Sequence, residues 1–166
     1  MGIFISGEIG SSNTAGINLS NIDLIIHTAG RAHIMNDSLA NPIEGFRRVN
    51  TSGALELARL AAGSGVKRFI FLSTIKVNGE STELGVAFSI NSIENPYDAY
   101  GVSKYETEIG LRKVSYETCL EVTIIRPPLV YGPGVKGSFS TLIKVLKLRT
   151  PLPLASVKKS SQYCGT

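Results

Sequence analysis

Three continuous β-rich runs constrain this chain more than any other feature. They are Asp23-Leu-Ile-Ile-His27, Lys67-Arg-Phe-Ile-Phe-Leu-Ser73 and Leu120-Glu-Val-Thr-Ile-Ile125, each separated from the next by a far longer stretch. Apolar runs of strand length without polar alternation suit a sheet covered on both faces. Neighbouring strands that run parallel need crossover connections of a dozen residues or more, and the intervals here hold helices. The first helix is expected from about Pro42, where proline suits an opening turn, to Ala62, where Gly63-Ser64-Gly65 offers residues tolerant of positive φ. A polar loop covers Thr82 to Asn95, and after Pro96 a long helix is expected from about Asp98 to Thr118. Ser138 to Leu148 reads as a further amphipathic helix ahead of the irregular Pro151-Leu-Pro-Leu segment. The order strand, helix, strand, helix, strand implies right-handed crossovers and an α/β fold, a parallel sheet with helices on both faces.

Composition narrows the functional classes. The chain has 166 residues, enough for one domain with a core and too few for two full ones. Its net charge of +4 is dispersed over pairs such as Arg47–Arg48, Lys67–Arg68 and Lys158–Lys159. No basic stripe interleaved with aromatics points to nucleic acid. Cys119 and Cys164 lack the close spacing of a metal knuckle or redox pair, so two reduced thiols in a cytoplasmic protein are expected, and no metal. Met1-Gly-Ile-Phe-Ile-Ser-Gly-Glu has neither the basic start of a signal peptide nor the length of a membrane span.

The chemistry centres on Tyr100-Gly-Val-Ser-Lys104, which sets a phenol and an ammonium one helical turn apart on one face. Tyrosine, with an ordinary pKa of about 10, is a poor base at neutral pH. A fixed cation stabilises the phenolate, and a nearby hydroxyl can add to that effect. Ser73-Thr74 supplies hydroxyls where the second strand ends, the edge at which parallel sheets bind ligands. By itself the Tyr-x-x-x-Lys spacing also describes a surface lysine over a half-buried tyrosine; the Ser-Thr pair gives it a context.

With these residues, the chain resembles the extended short-chain dehydrogenase/reductase family, close to bacterial nucleotide-sugar 4-epimerases of surface-polysaccharide pathways. Five segments carry the resemblance, in family order. They are His27-Thr-Ala-Gly30, Asn50-Thr-Ser-Gly53, Ser73-Thr-Ile-Lys-Val-Asn-Gly79, Pro96-Tyr-Asp-Ala-Tyr-Gly-Val-Ser-Lys104 and Arg126-Pro-Pro-Leu-Val-Tyr-Gly-Pro-Gly134. The resemblance implies a partial Rossmann-like domain, NAD as cofactor and a nucleotide-sugar substrate; a homodimer is open to the chain. It implies Tyr100 as the base, with Lys104 holding ribose hydroxyls and lowering the tyrosine pKa. Thr74, with Ser73 beside it, would bond the reacting oxygen. Ala29, Gly30, Asn50, Ser73 and Pro128 would line or support the cofactor site. His27 reads instead as a satisfied strand-end histidine, and His33 has no role.

The chain also departs from that pattern. The family opens with a glycine-rich turn whose backbone N–H groups hold a pyrophosphate. Ser6-Gly-Glu-Ile-Gly10 invites the comparison, but Asn13 stands where a third glycine belongs, and too few residues precede Ile22 for a helix and further strands. Ile3–Ile9 is therefore expected to be a later strand and loop, with the first strands of the family missing. Residues 1–135 would be the C-terminal portion of the NAD-binding domain, and 136–166 the beginning of a truncated substrate-binding region. A 4,6-dehydratase places Asp-Glu directly after the strand-end threonine, whereas Ile75-Lys76 stand here. Many epimerases carry Asn where this chain has Leu129, which leaves a 4-dehydrogenase or 4-reductase open, as does a truncated remnant without catalysis.

Overall fold

The computed structural model describes residues 17–32, 41–83, 85–89, 91–128, 130–131 and 164–165. Strand β1 (Leu24–His27) pairs in parallel with β2 (Arg68–Leu72), and β2 pairs in parallel with β3 (Glu121–Ile125), in the order β1-β2-β3. Among the described residues β1 pairs with β2 alone. A separate parallel pair joins the two-residue strands β4 (Val130–Tyr131) and β5 (Cys164–Gly165). The expected strand at Ile3–Ile9, the helix at 138–148, the boundary near 135 and His33 lie outside the described residues.

The first connection is one continuous helical rod in three parts: α1 (Pro42–Phe46), a π-helical stretch (Arg47–Ser52) and α2 (Gly53–Gly63). Pro42 opens it at a position whose N–H needs no partner. At its far end Gly65 takes φ +80, as the glycine-rich stop requires. The π stretch is a departure from the regular helix expected: Gly53 N–H donates to the Arg48 carbonyl, five residues back, and the turn widens around Asn50. Helix α3 (Ala99–Glu117) is capped by Asp98, whose side chain accepts from the Gly101 N–H, and it falls within a residue of its expected bounds at each end.

Strand alternation divides the sheet into two unlike faces. Phe69, Phe71, Ile25, Val122 and Ile124 point to the side where Ala54, Leu57, Ala58 and Ala61 of α2 and Leu111 and Val114 of α3 complete the core. The register then puts Leu24, Ile26, Ile70, Leu72 and Ile125 on the opposite side. Among the described residues both long helices therefore pack on one face, and Leu24, Ile26 and Ile125 on the other remain exposed. No described helix is long and apolar enough to cross a membrane, and no described cluster of His, Cys, Asp or Glu could hold a metal ion.

Candidate active site

The site forms where β2 ends against the first two turns of α3. Thr74 leaves the strand in extended conformation, and its hydroxyl oxygen accepts from the Lys76 N–H, starting a short 3-10 turn (Ile75–Val77). That turn is fastened to the start of α3. Lys76 Nζ donates to Asp98 Oδ2 at 2.5 Å, while Asp98 Oδ1 takes the Gly101 N–H at 2.6 Å. A Cβ on Gly101 would stand 3.2 Å from the Lys76 carbonyl oxygen, so the glycine of the Tyr-Gly-Val-Ser-Lys segment permits this approach. The strand end carrying Thr74 and the turn carrying Tyr100 are thereby joined directly.

Lys104, on the next turn of α3, is buried among groups that carry no charge of their own. Its Nζ donates to the Leu72 carbonyl at 2.9 Å and lies 4.5 Å from the centroid of the Phe71 ring and 6.0 Å from that of Tyr100. Burial lowers its pKa to about 8, and Glu108 one turn further on opposes the fall. A Cβ on Gly30 would meet Lys104 Nζ at 3.3 Å and Asn50 Oδ1 at 3.4 Å. The exposed segment that leaves β1 through Ala29 and Gly30 thus runs directly over the ammonium.

Asn50 fixes that segment. From within the π stretch, its Oδ1 accepts the Arg31 N–H at 2.7 Å. Its Nδ2 donates to the Arg31 carbonyl at 3.1 Å and to Ser103 Oγ at 3.0 Å. Both bonds to Arg31 run to one backbone unit, so the buried amide acts like a short piece of strand edge while gripping α3 through Ser103. Gly30, Asn50 and Lys104, far apart in the chain, meet here.

Three expectations change. The Tyr100 pKa is raised, not lowered: burial is the largest influence, Asp98 adds to the rise, and Lys76 opposes it. The physical reason is that the lysine head is turned to the Leu72 carbonyl and the Phe71 face. Ser73 does not stand beside Thr74 at the reacting side, because consecutive strand residues point opposite ways; its hydroxyl donates to Glu108 Oε1 at 2.6 Å inside the protein. His27 is not satisfied in the way expected. It is buried against the rings of Phe69 and Phe71, its Nδ1 has no hydrogen-bond partner among the described residues, and burial holds its pKa at about 4.

Pro128 occupies the wall of a cavity of about 570 Å³, with Ile75, Asn78, Phe88, Arg112 and Arg126; Gly30, Asn50, Tyr100 and Lys104 do not line it. Beside this cavity stands a cluster that reading the sequence had missed. Glu108, fully buried, accepts from Ser73 Oγ, from Arg126 Nε at 2.9 Å and Nη2 at 2.6 Å, and from Arg112 Nη2 at 3.2 Å. Arg126 also reaches Asn78 Oδ1 and Glu94 Oε1, each at 3.1 Å. The signal was available in part: Glu108 follows Lys104 by four residues, on the stripe that already carries Tyr100.

The arrangement suits a dinucleotide cofactor: an open backbone segment at Ala29–Gly30, and a buried ammonium that uses one of its three donors on Leu72. Comparison with known proteins agrees. A sequence model of the NAD dependent epimerase/dehydratase family matches residues 4–161. UDP-glucose 4-epimerase from Vibrio cholerae is 43% identical over 160 residues, 96% of this chain and 49% of the relative. Mouse dTDP-D-glucose 4,6-dehydratase is 32% identical over 78% of this chain and 36% of its own. Among solved structures, the UDP-glucuronic acid 4-epimerase of Bacillus cereus in complex with NAD superposes with a TM-score of 0.67 at 25% identity, over 81% of this chain and 42% of that one. A dTDP-glucose 4,6-dehydratase from Streptomyces venezuelae, also with NAD, gives 0.68 at 27% identity, over 82% and 42%. The chain spans about half the length of the first of these curated relatives and about a third of the second.

Proposed function

Because the chain belongs to the NAD dependent epimerase/dehydratase family, we propose that it is the catalytic portion of an NAD-dependent nucleotide-sugar 4-epimerase. Its substrate would be a UDP-hexose or UDP-N-acetylhexosamine used in making surface polysaccharide. The observation that carries this reading is the joining of Thr74 to the first turns of α3, which bear Tyr100 and Lys104, at the C-terminal edge of a parallel sheet.

Ala29 and Gly30 would lie along the cofactor, Asn50 holding their strand exit in place, and Lys104 would take the ribose hydroxyls with its two remaining donors. NAD, when bound, supplies a hydride acceptor and later returns the hydride. The protein's part is proton transfer at the C4 hydroxyl. Tyr100 Oη would remove that proton, Thr74 Oγ1 would hold the same oxygen, and the proton would return from Tyr100 when the keto-sugar is reduced from the other face. Burial favours the protonated phenol, so Tyr100 would first have to release its own proton to solvent before taking that of the C4 hydroxyl, and the ammonium of Lys104 would stabilise the phenolate once cofactor and substrate are bound. Dehydration is disfavoured, since Lys76, engaged with Asp98 and Glu80, stands where an acidic pair would be needed.

The test is a chimera in which the Vibrio cholerae relative supplies the residues flanking this chain, assayed for interconversion of UDP-glucose and UDP-galactose. Tyr100→Phe should lower kcat by about 10²–10⁴-fold with little change in NAD affinity, and Lys104→Ala should damage both. Undiminished turnover in Tyr100→Phe would end the reading.

A further inference from the structure

Glu108 has no part in the proton transfer just described, yet it is the most fully bonded buried charge in the described structure. Its two oxygens accept from Ser73, twice from Arg126 and from Arg112. These partners come from the end of β2, the end of β3 and its own helix. Lys104, one turn earlier on α3, grips the Leu72 carbonyl. Two successive residues of the strand end, Leu72 and Ser73, are therefore held by two residues one turn apart on the helix that bears Tyr100.

The grip continues past Thr74. Arg126, already bound to Glu108, donates to Asn78 at the close of the 3-10 turn, and the Ile75 N–H donates to the Pro127 carbonyl at 3.1 Å. Thr74 is thus bracketed on both sides by groups that lead back to one carboxylate. Its own hydroxyl meets only the Lys76 N–H among its described side-chain bonds.

Stability alone is a poor reason for such an arrangement. The cost of burying two charges commonly exceeds their attraction, and apolar residues of similar volume often serve as well or better. What an apolar pair cannot do is hold a serine hydroxyl and an arginine fork at fixed angles.

We propose that Glu108 is a positioning residue: it sets the end of β2 against α3 so that Thr74 and Lys104 address the same reacting centre. The inference rests on the 4-epimerase reading for its catalytic meaning, while its geometric content can be tested apart from any turnover. In the chimera, the double variant Glu108→Met with Arg126→Leu removes both charges together. It should keep its fold by circular dichroism, lose about tenfold or more in kcat, and hold KM within about threefold. Ser73→Ala, which deletes only the hydroxyl that meets Glu108, should show a smaller fall in kcat with the same unchanged KM.

The second readout needs no catalysis. In the 166-residue chain labelled with ¹⁵N-lysine, the Lys104 ammonium resonance is assigned by its loss in Lys104→Arg. It should move in Ser73→Ala, because the Leu72 carbonyl it bonds is next to the released serine. A double variant that folds with full kcat overturns the proposal; if that variant does not fold, full kcat in Ser73→Ala does so. An unmoved Lys104 resonance in Ser73→Ala overturns it even where the parent chimera proves inactive and the 4-epimerase reading has failed.

Discussion

The two flanks of α3 solve the same problem, polar groups in a dry place, by opposite means. On the β1 side lie Lys104, whose ammonium meets a backbone carbonyl and the Phe71 ring, Asn50, whose amide meets the Arg31 backbone, and His27, which lies against the Phe71 ring. On the β3 side lie Glu108, Arg126, Arg112 and Glu94, where most contacts join opposite full charges. A cation whose nearest contacts are a carbonyl and aromatic faces gives up its proton more readily on burial, as Lys104 does at about 8. A charge given four donors is held in one place. The first flank is held by dipoles and ring faces, the second by paired charges.

The contrast can be broken experimentally, and the β3 flank offers the largest effect. Arg126→Leu leaves Glu108 buried without its bidentate partner, for which a loss of about 3–5 kcal/mol is expected in urea unfolding at pH 7. A loss below about 1 kcal/mol would mean that the charged flank is no more rigidly determined than the neutral one.

Acid comes next in size, and it acts on the β1 flank. His27 is held near pKa 4 when folded, against an ordinary value of 6.5. The unfolded chain therefore takes up this proton first, and stability falls as pH drops from 6.5 through 4. The loss is on the order of 3 kcal/mol from this one group. His27→Leu should flatten that part of the profile, and parallel curves for the parent and the variant would assign the acid sensitivity elsewhere.

Asn50→Ala is the smallest of the three. Removing an amide that bonds both backbone groups of Arg31 should cost about 1–3 kcal/mol. It should also speed hydrogen exchange at the Arg31 amide relative to the amides of β2. Unaltered exchange there would show that the strand exit does not depend on the π-turn asparagine.

How far these flanks were legible beforehand differs in the same way. The strands and α3 could be placed closely because their punctuation is local: Pro96 and Asp98 before the helix, continuous apolar runs for β2 and β3. Tyr100, Lys104 and Thr74 could be proposed as a group for the same reason, since spacing on a helix and position at a strand end are one-dimensional facts. The π stretch was not legible, because an apolar pattern near 3.6 residues per turn does not register a single widened turn. Nor was the bonding of Glu108, which depends on Arg126 arriving from another strand. Ser73 was assigned to the reacting side because two adjacent hydroxyls read alike until the pleat turns one of them inward.

The sheet register has a kinetic consequence. Asp23 and Lys67 at the foot of β1 and β2 are 44 residues apart, and Arg68 and Glu121 at the foot of β2 and β3 are 53 apart. No described strand finds its partner locally, so each of these pairings must close a long loop before any ladder bond rewards it. Helices, whose bonds are local, form on a far shorter timescale. The rod from Pro42 to Gly63 and α3 are therefore expected to dock through Asn50, Thr51, Ser103 and Thr107 before the sheet closes. By that order of events, the residues that later flank the reacting centre would be the first tertiary contacts the chain makes.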